Sequence, residues 1–204
     1  LPLALELAAA RTNALTPAQI LERLAGRLDL LKGGRDADPR QQTLRATIEW
    51  SFDLLASDEQ QVFARLSVFA GGCTLEAAEE VCDVVLDTLQ SLVDKSLVRF
   101  IEGRYWLLET IREFAAQKLE ASGEGEAVGE RHSEWFVHVA VTADEPLRRN
   151  DLDWVERLER EHDNLRVVLD RFEMTGESDR LLGLVAALWR FWYLRSHYGE
   201  GGRR

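Results

Sequence analysis

The sequence has only two cysteines, Cys73 and Cys82, in 204 residues. With no second pair and no histidine at ligand spacing, they exclude a disulfide-stapled scaffold and a zinc site, and buried reduced thiols are expected. No apolar run reaches the length of a membrane span. The opening LPLALELAAAR lacks the basic flank and cleavage pattern of a secretory signal. No membrane partner is therefore expected, and the cytoplasm is the expected compartment. Positive charge is also scarce: 25 Lys and Arg stand against 36 Asp and Glu, a net of -11. That balance excludes nonspecific attraction of the whole chain to phosphate backbones or anionic lipid. No G-x-x-x-x-G-K-[ST] occurs, so no loop cradles phosphates and the chain is not expected to hydrolyse ATP. His132, His138, His162 and His197 show no HExxH or comparable spacing, and no Ser, Cys and His arrangement marks a nucleophile. The chain is accordingly expected to be no enzyme, with no catalytic residue, no metal site and no cofactor of its own. It also lacks an initiator methionine and opens in mid-pattern, and so reads as part of something longer.

Helical periodicity dominates what is present. LTPAQILERL offers Thr16 as a cap and Pro17 at the first helical position, where a missing N–H costs nothing. KGGRDADPR, over residues 32–40, carries Gly, Pro and charge without periodicity and reads as a linker. Leu44, Ile48, Phe52 and Leu55 then form one apolar stripe, which buries Phe52 in preference to Trp50. SDEQQVFARL opens with a capping-box pattern, Ser57 and Gln60, and turns Val62, Phe63 and Leu66 inward. A third helix follows Gly71-Gly72, capped by Thr74. The fourth places Leu86, Leu89, Leu92 and Val93 on one face. The period then falls from about 3.6 to about 2 in SLVRFIEGRYWLLE, which predicts a β-hairpin turning at Glu102-Gly103. Helix returns with Thr110 as cap and ends at Gly123. Helices followed by a hairpin are the order of a winged-helix domain.

EGEAVGE, over residues 124–130, reads as a loose connection, and the remainder as further helices. The last mixes small Gly183, Ala186 and Ala187 with large Leu184, Leu188, Trp189 and Trp192, as stacked helical repeats do. Trp189, Phe191, Trp192 and Tyr193 read as an aromatic repeat core. EHDNLR, over residues 161–166, reads as a helix surface followed by a core-facing Leu165. The expected class is thus mainly α, with three regions: 1–40, 44–123 as the winged-helix domain, and 131–204.

A winged helix raises the possibility of DNA readout, which needs Arg, Lys, Asn or Gln on the exposed face of the fourth helix. That face instead offers Asp87, Thr88, Gln90, Ser91, Asp94 and Lys95. Residues 44–121 hold seven Lys and Arg against fourteen Asp and Glu. This balance argues against direct DNA binding by the domain.

LPLALELAAAR, TLRATIEWSFDLL, FARLSVFAGGCTLEAAEEVC, LVDKSLV, YWLLETIREFA and EHDNLRVVL, in that order, resemble bacterial STAND-class ATPases of the NB-ARC type. Those regulators include relatives of the AfsR and LuxR-type transcriptional activators. The resemblance implies a segment downstream of an absent P-loop domain: the end of the nucleotide-binding region and a small helical domain, a winged helix, and the start of tetratricopeptide-like repeats. It further implies an ATP- or ADP-dependent signalling switch, with ADP or ATP bound by the longer protein and a protein or ligand partner engaging the C-terminal helices. Two nucleotide-proximal sites follow from it. Pro2 in LPLAL corresponds to the proline of the family's GLPL motif, beside the adenine. Leu107-Leu108-Glu109 corresponds to its MHD motif, which faces the β-phosphate. Leu108 replaces the histidine and cannot donate a hydrogen bond, whereas Glu109 keeps the acid. Read without the resemblance, Glu109 is an acidic residue favourable at any helix start.

Overall fold

The computed structural model describes residues 16–21 and 39–195, with positions 9 and 12. Pro2 and most of the expected 32–40 linker lie outside the described residues. Helix begins at Pro17, where the Thr16 Oγ1 accepts from the Gln19 N–H at 3.4 Å and the Gln19 Oε1 accepts from the Thr16 N–H at 2.9 Å. This reciprocal pair satisfies two donors that a helix start leaves orphaned.

The elements that follow are α1 (Pro39–Asp53), α2 (Ser57–Arg65), a short 3-10 turn (Leu66–Val68), α3 (Leu75–Cys82), α4 (Leu86–Asp94), β1 (Arg99–Ile101), β2 (Arg104–Trp106), α5 (Glu109–Ser122), α6 (Gly125–Arg148), α7 (Leu152–Arg160), α8 (His162–Thr175) and α9 (Ser178–Leu194). The protein is mainly helical, and the described residues form one antiparallel hairpin. It divides into two units: Leu1–Ser67 with Cys73–Gly125, and Val68–Gly72 with Glu126–Arg204.

The first unit is built on rings. Phe52 of α1 stands 5.6 Å from Phe63 of α2 and 5.6 Å from Phe114 of α5, and Phe63 stands 6.4 Å from Phe114. The expectation that α1 buries Phe52 rather than Trp50 is corrected, because both are buried. From Ala46 to Phe52 only Glu49 is half-exposed and the other positions are buried, so no polar face remains to turn Trp50 outward. Helix α2 starts one residue earlier than its sequence suggests. Ala56 is the cap residue, and its N–H donates to the Glu59 Oε2 at 2.8 Å, so Glu59 and not Gln60 satisfies the helix start. Thr74 does cap α3, accepting from the Ala77 N–H at 3.3 Å. Both cysteines are buried, and they form no disulfide.

The hairpin turns where the sequence places it. Ile101 pairs with Arg104, and Glu102 and Gly103 have φ of 51° and 79°. Positive φ at both central residues matches the right-handed twist of the flanking strands, and glycine adopts it without a Cβ clash. Cys73 and Tyr105 exchange backbone bonds of 3.0 and 2.8 Å, adding a one-residue third strand between α2 and α3. Helix, short strand, two helices and a hairpin complete a winged helix-turn-helix, in which α4 stands in the recognition-helix position. Helix α5 begins at Glu109, with Leu108 rather than Thr110 in the cap position and no side-chain cap. Gly123, at φ 75°, ends it.

The second unit corrects the reading of residues 124–130 as a loose connection. Gly125 opens α6, and Val128 is fully buried. The Arg171 Nη2 pairs with Glu126 at 2.7 Å and Glu130 at 3.3 Å, tying the first turns of α6 to α8. Gly129 leaves room for that guanidinium, since a Cβ there would lie 3.3 Å from the Arg171 Nη1. The aromatic cluster of α9 is divided: Phe191 and Trp192 are buried with Leu184 and Leu188, while Trp189 and Tyr193 are exposed. No helix among the described residues is long and apolar enough to cross a membrane.

Candidate functional site

Three features carry functional information, and the first is the outer face of the winged helix. On α4, Leu89 and Leu92 point inward, while Leu86, expected in the same buried stripe, is exposed in the first helical position. Val85, Asp87, Gln90 and Asp94 share the solvent side. Lys95, the cation nearest this helix, turns back: its Nζ pairs with Glu59, beside the Ser91 hydroxyl. Burial opposes ionisation of Glu59, but hydrogen bonds from Lys95, Ser91 and the Ala56 N–H outweigh it and hold the carboxyl below its ordinary range. A charged pair formed this way keeps the lysine from reaching outward.

The other cations of residues 44–121 are engaged as well. Arg45 donates to Gln117 and lies over the Phe114 ring. Arg65 pairs with Glu124 at 2.8 Å and donates to the Cys82 carbonyl. Arg104 is buried and stacks over Trp106 at 5.8 Å, and Lys118 sits over the Phe52 and Phe114 rings. Arg112 is held by Glu109. Arg99, at the start of the wing, is exposed and has interactions of its own. Beside Asp87, Gln90 and Asp94 it exposes apolar side chains: Val85 and Leu86 are 66% and 49% exposed, and Phe100 and Ile101 on the wing are 53% and 50% exposed.

The second feature is the start of α5. Leu107 and Leu108 are half-buried and Glu109 is exposed. Both Glu109 oxygens are occupied by Arg112, with Nη2–Oε1 at 2.7 Å and Nε–Oε2 at 3.0 Å. Hydrogen bonding to Arg112 holds the Glu109 carboxyl below its ordinary range against a modest opposing effect of burial. Arg112 also donates to the Ser67 carbonyl at 3.4 Å. The sequence-derived carboxylate is thus one end of an ion pair three residues apart. Glu109→Gln should cost a few tenths to about 1 kcal/mol of stability, as an exposed pair does. Denaturant unfolding of the two proteins checks this.

The third feature was not legible in the sequence. In EHDNLR, Glu161, His162 and Asn164 are buried along with Leu165. The Asn164 Oδ1 accepts from the Gly71 N–H at 3.3 Å, and its Nδ2 donates to the Gly72 carbonyl and the Glu161 Oε2, each at 2.9 Å. His132 lies beside it, 5.3 Å from the Phe69 ring and 4.7 Å from Phe136, with its Nε2 buried and without a hydrogen-bond partner. Burial pushes its pKa down to about 4, aided by the charge of Arg171 and opposed by Asn164. No group of His, Cys, Asp and Glu that could hold a metal ion occurs among the described residues.

Comparison with known proteins matches residues 55–120 to the family described as "Winged helix-turn-helix domain". Over 213 residues, 98% of the chain, it is 41% identical to a Mycobacterium tuberculosis protein provisionally named an HTH-type transcriptional regulator, and equally to a Mycobacterium bovis protein of the same description. It is also 41% identical over 144 residues, 64% of the chain and 37% of the relative, to an uncharacterized M. tuberculosis protein. The chain spans about a quarter of the length of the two named regulators (24%). No solved structure matches it significantly. These findings support a transcriptional-regulator relationship. They favour the DNA-binding winged helix, which the charge of the sequence set aside, over a nucleotide switch, on which they carry nothing.

Proposed function

We propose that this chain, built around a winged helix-turn-helix domain, is a regulatory segment of a transcriptional regulator whose winged helix docks on protein rather than on DNA. The observation that supports this reading most is the outer face of α4. It carries Val85, Leu86, Asp87, Gln90 and Asp94, while its nearest cation, Lys95, is held by Glu59. The finer proposal follows the resemblance: the docking partner is the nucleotide-binding domain of a longer protein, closed in the ADP state and released in the ATP state. Pro2, Leu108 and Glu109 lie near the nucleotide, and the C-terminal helices, as the start of tetratricopeptide-like repeats, receive the signal. On that proposal Glu109 acts through Arg112, because both its oxygens are already taken.

The test uses the longer protein, with its nucleotide domain in place. ADP release is followed for wild type and for Leu86→Lys and Phe100→Lys. Both substitutions alter exposed positions, so the fold is expected to survive, as circular dichroism verifies. Release should quicken about 5- to 150-fold, the range of an interdomain coupling of 1–3 kcal/mol. Unchanged release from folded variants would refute the docking face.

A second reading, a winged helix that contacts DNA directly, is favoured by the provisional names of the relatives and by the exposed Arg99 on the wing. It requires affinity that falls steeply with salt and weakens when Arg99 is replaced by Ala.

A further inference from the structure

The turn between α3 and α4 carries a combination of side chains that folding does not call for. Val85 and Leu86 stand exposed in it, immediately beside Asp83 and Asp87, and Glu79 and Glu80 lie on the turn of α3 before it. All six are exposed, and all belong to the first unit. Two of the carboxylates are unfavourably placed. Glu79 and Glu80 occupy the last turn of α3, at the negative end of its dipole, where no basic residue offsets them. Glu80 also stands four residues from Glu76, a spacing at which like charges repel. Arg65 reaches the end of the same helix and donates to the Cys82 carbonyl at 3.0 Å, but its Nε and Nη2 are both committed to Glu124. No described residue forms an ion pair with Glu79, Glu80, Asp83 or Asp87. Uncompensated departures from local stability rules of this kind concentrate at surfaces that serve a partner.

Resting on the reading that the winged helix docks on protein, we propose that the α3–α4 turn is the docking point and that it takes a cationic polypeptide surface. An apolar side chain of the partner sits on Val85 and Leu86, and Lys or Arg residues around it meet Glu79, Glu80, Asp83 and Asp87. The chemistry of the turn selects this occupant over the others. An acidic rim repels nucleic acid and anionic lipid. A second copy of the turn brings the same charge against it. A metal ion needs oxygen ligands that converge, and no group of His, Cys, Asp and Glu that could hold one occurs among the described residues. A polypeptide supplies both parts, an apolar centre and a charged rim, in the arrangement common to protein interfaces. Its cations supply the counter-charge that α3 lacks, which speeds encounter and fixes register.

Fluorescence anisotropy of the 204-residue chain with two labelled synthetic peptides tests the proposal. One is a helical peptide of Lys and Leu, and the other has the same charge with every Leu replaced by Ser. The Lys and Leu peptide should bind saturably, about 10-fold or more tightly than its Ser counterpart, and should weaken as salt is added. Glu80→Lys combined with Asp87→Lys should weaken it about 10-fold or more, and Leu86→Ala severalfold. These positions are exposed, so the fold is expected to survive, as circular dichroism verifies. Glu134→Lys combined with Glu156→Lys makes the same change of net charge at exposed positions of the second unit, and should leave the affinity within about 2-fold of wild type. Equal losses from the two pairs of substitutions would show attraction to overall acidity only and overturn the proposal. Equal binding of the two peptides, or binding of neither, would overturn it as well. The docking reading is judged apart from this, by ADP release from Leu86→Lys in the longer protein: quickened release there, with no peptide bound here, leaves a docking face whose partner is not cationic.

Discussion

Phe63→Ala lowers the unfolding free energy of the winged-helix unit by about 3–5 kcal/mol. The ring is fully buried and lies between Phe52 of α1 and Phe114 of α5, so the cavity left behind is walled by three separate helices. Backbone collapse cannot refill such a space cheaply, because each neighbour is held by its own contacts. Lys118 places its ammonium 4.9 Å from the Phe52 ring and 5.1 Å from the Phe114 ring, closing the outer edge of the cluster. With domains stable by only about 5–15 kcal/mol, the truncation removes a large share of the total. Denaturant unfolding monitored by circular dichroism measures it, and Phe52→Ala should lose a comparable amount. A loss below about 1 kcal/mol for Phe63→Ala would mean that these helices do not pack through the ring cluster.

Acidification destabilises the helical unit through His132. Its pKa falls from 6.5 to about 4 because burial penalises the imidazolium, so the folded state excludes a proton that the unfolded chain accepts. The stabilisation is therefore complete above pH 6.5, declines as pH falls below that value, and is exhausted near pH 4. At about 1.4 kcal/mol per pKa unit, the loss over the window is about 3 kcal/mol. His132→Phe isolates the effect, since a phenyl ring suits the aromatic surroundings of Phe69 and Phe136 and replaces an Nε2 that has no partner. Carboxylates titrate in both proteins over the acid end of the window, so the difference between the two pH profiles reports His132. The variant's profile should be flatter by about that amount. Parallel profiles would contradict the burial of the ring.

What could be read in advance was local. The Glu102-Gly103 turn, the Thr16 and Thr74 caps and the Gly123 stop depend on residues within four positions of each other, and the change of period marks the wing by itself. Features that depend on distant partners escaped. Residues 124–130 resemble a linker because the cation that fixes Glu126 and Glu130 is Arg171, some forty residues away. Trp50 departs from the periodicity because a pattern finds one buried stripe, whereas α1 is enclosed on more than one side. Leu86 and Trp189 fit an apolar stripe but stand outside it. Asn164 gave no sign at all: a polar residue in a helical stretch reads as surface, and its two backbone partners are more than ninety positions away. The winged-helix face shows the same limit. Composition revealed the excess of acid, but not that Lys95 is turned inward onto Glu59.

The central claim is that the winged helix meets protein and not phosphate. The most direct measurement is a titration of the chain into a labelled random-sequence duplex, followed by fluorescence anisotropy at low ionic strength, where any phosphate contact is at its strongest. The account predicts no saturable rise in anisotropy. A saturable rise whose affinity falls steeply as salt is added, and which is weakened by Arg99→Ala, would contradict it and establish the winged helix as a DNA-binding element.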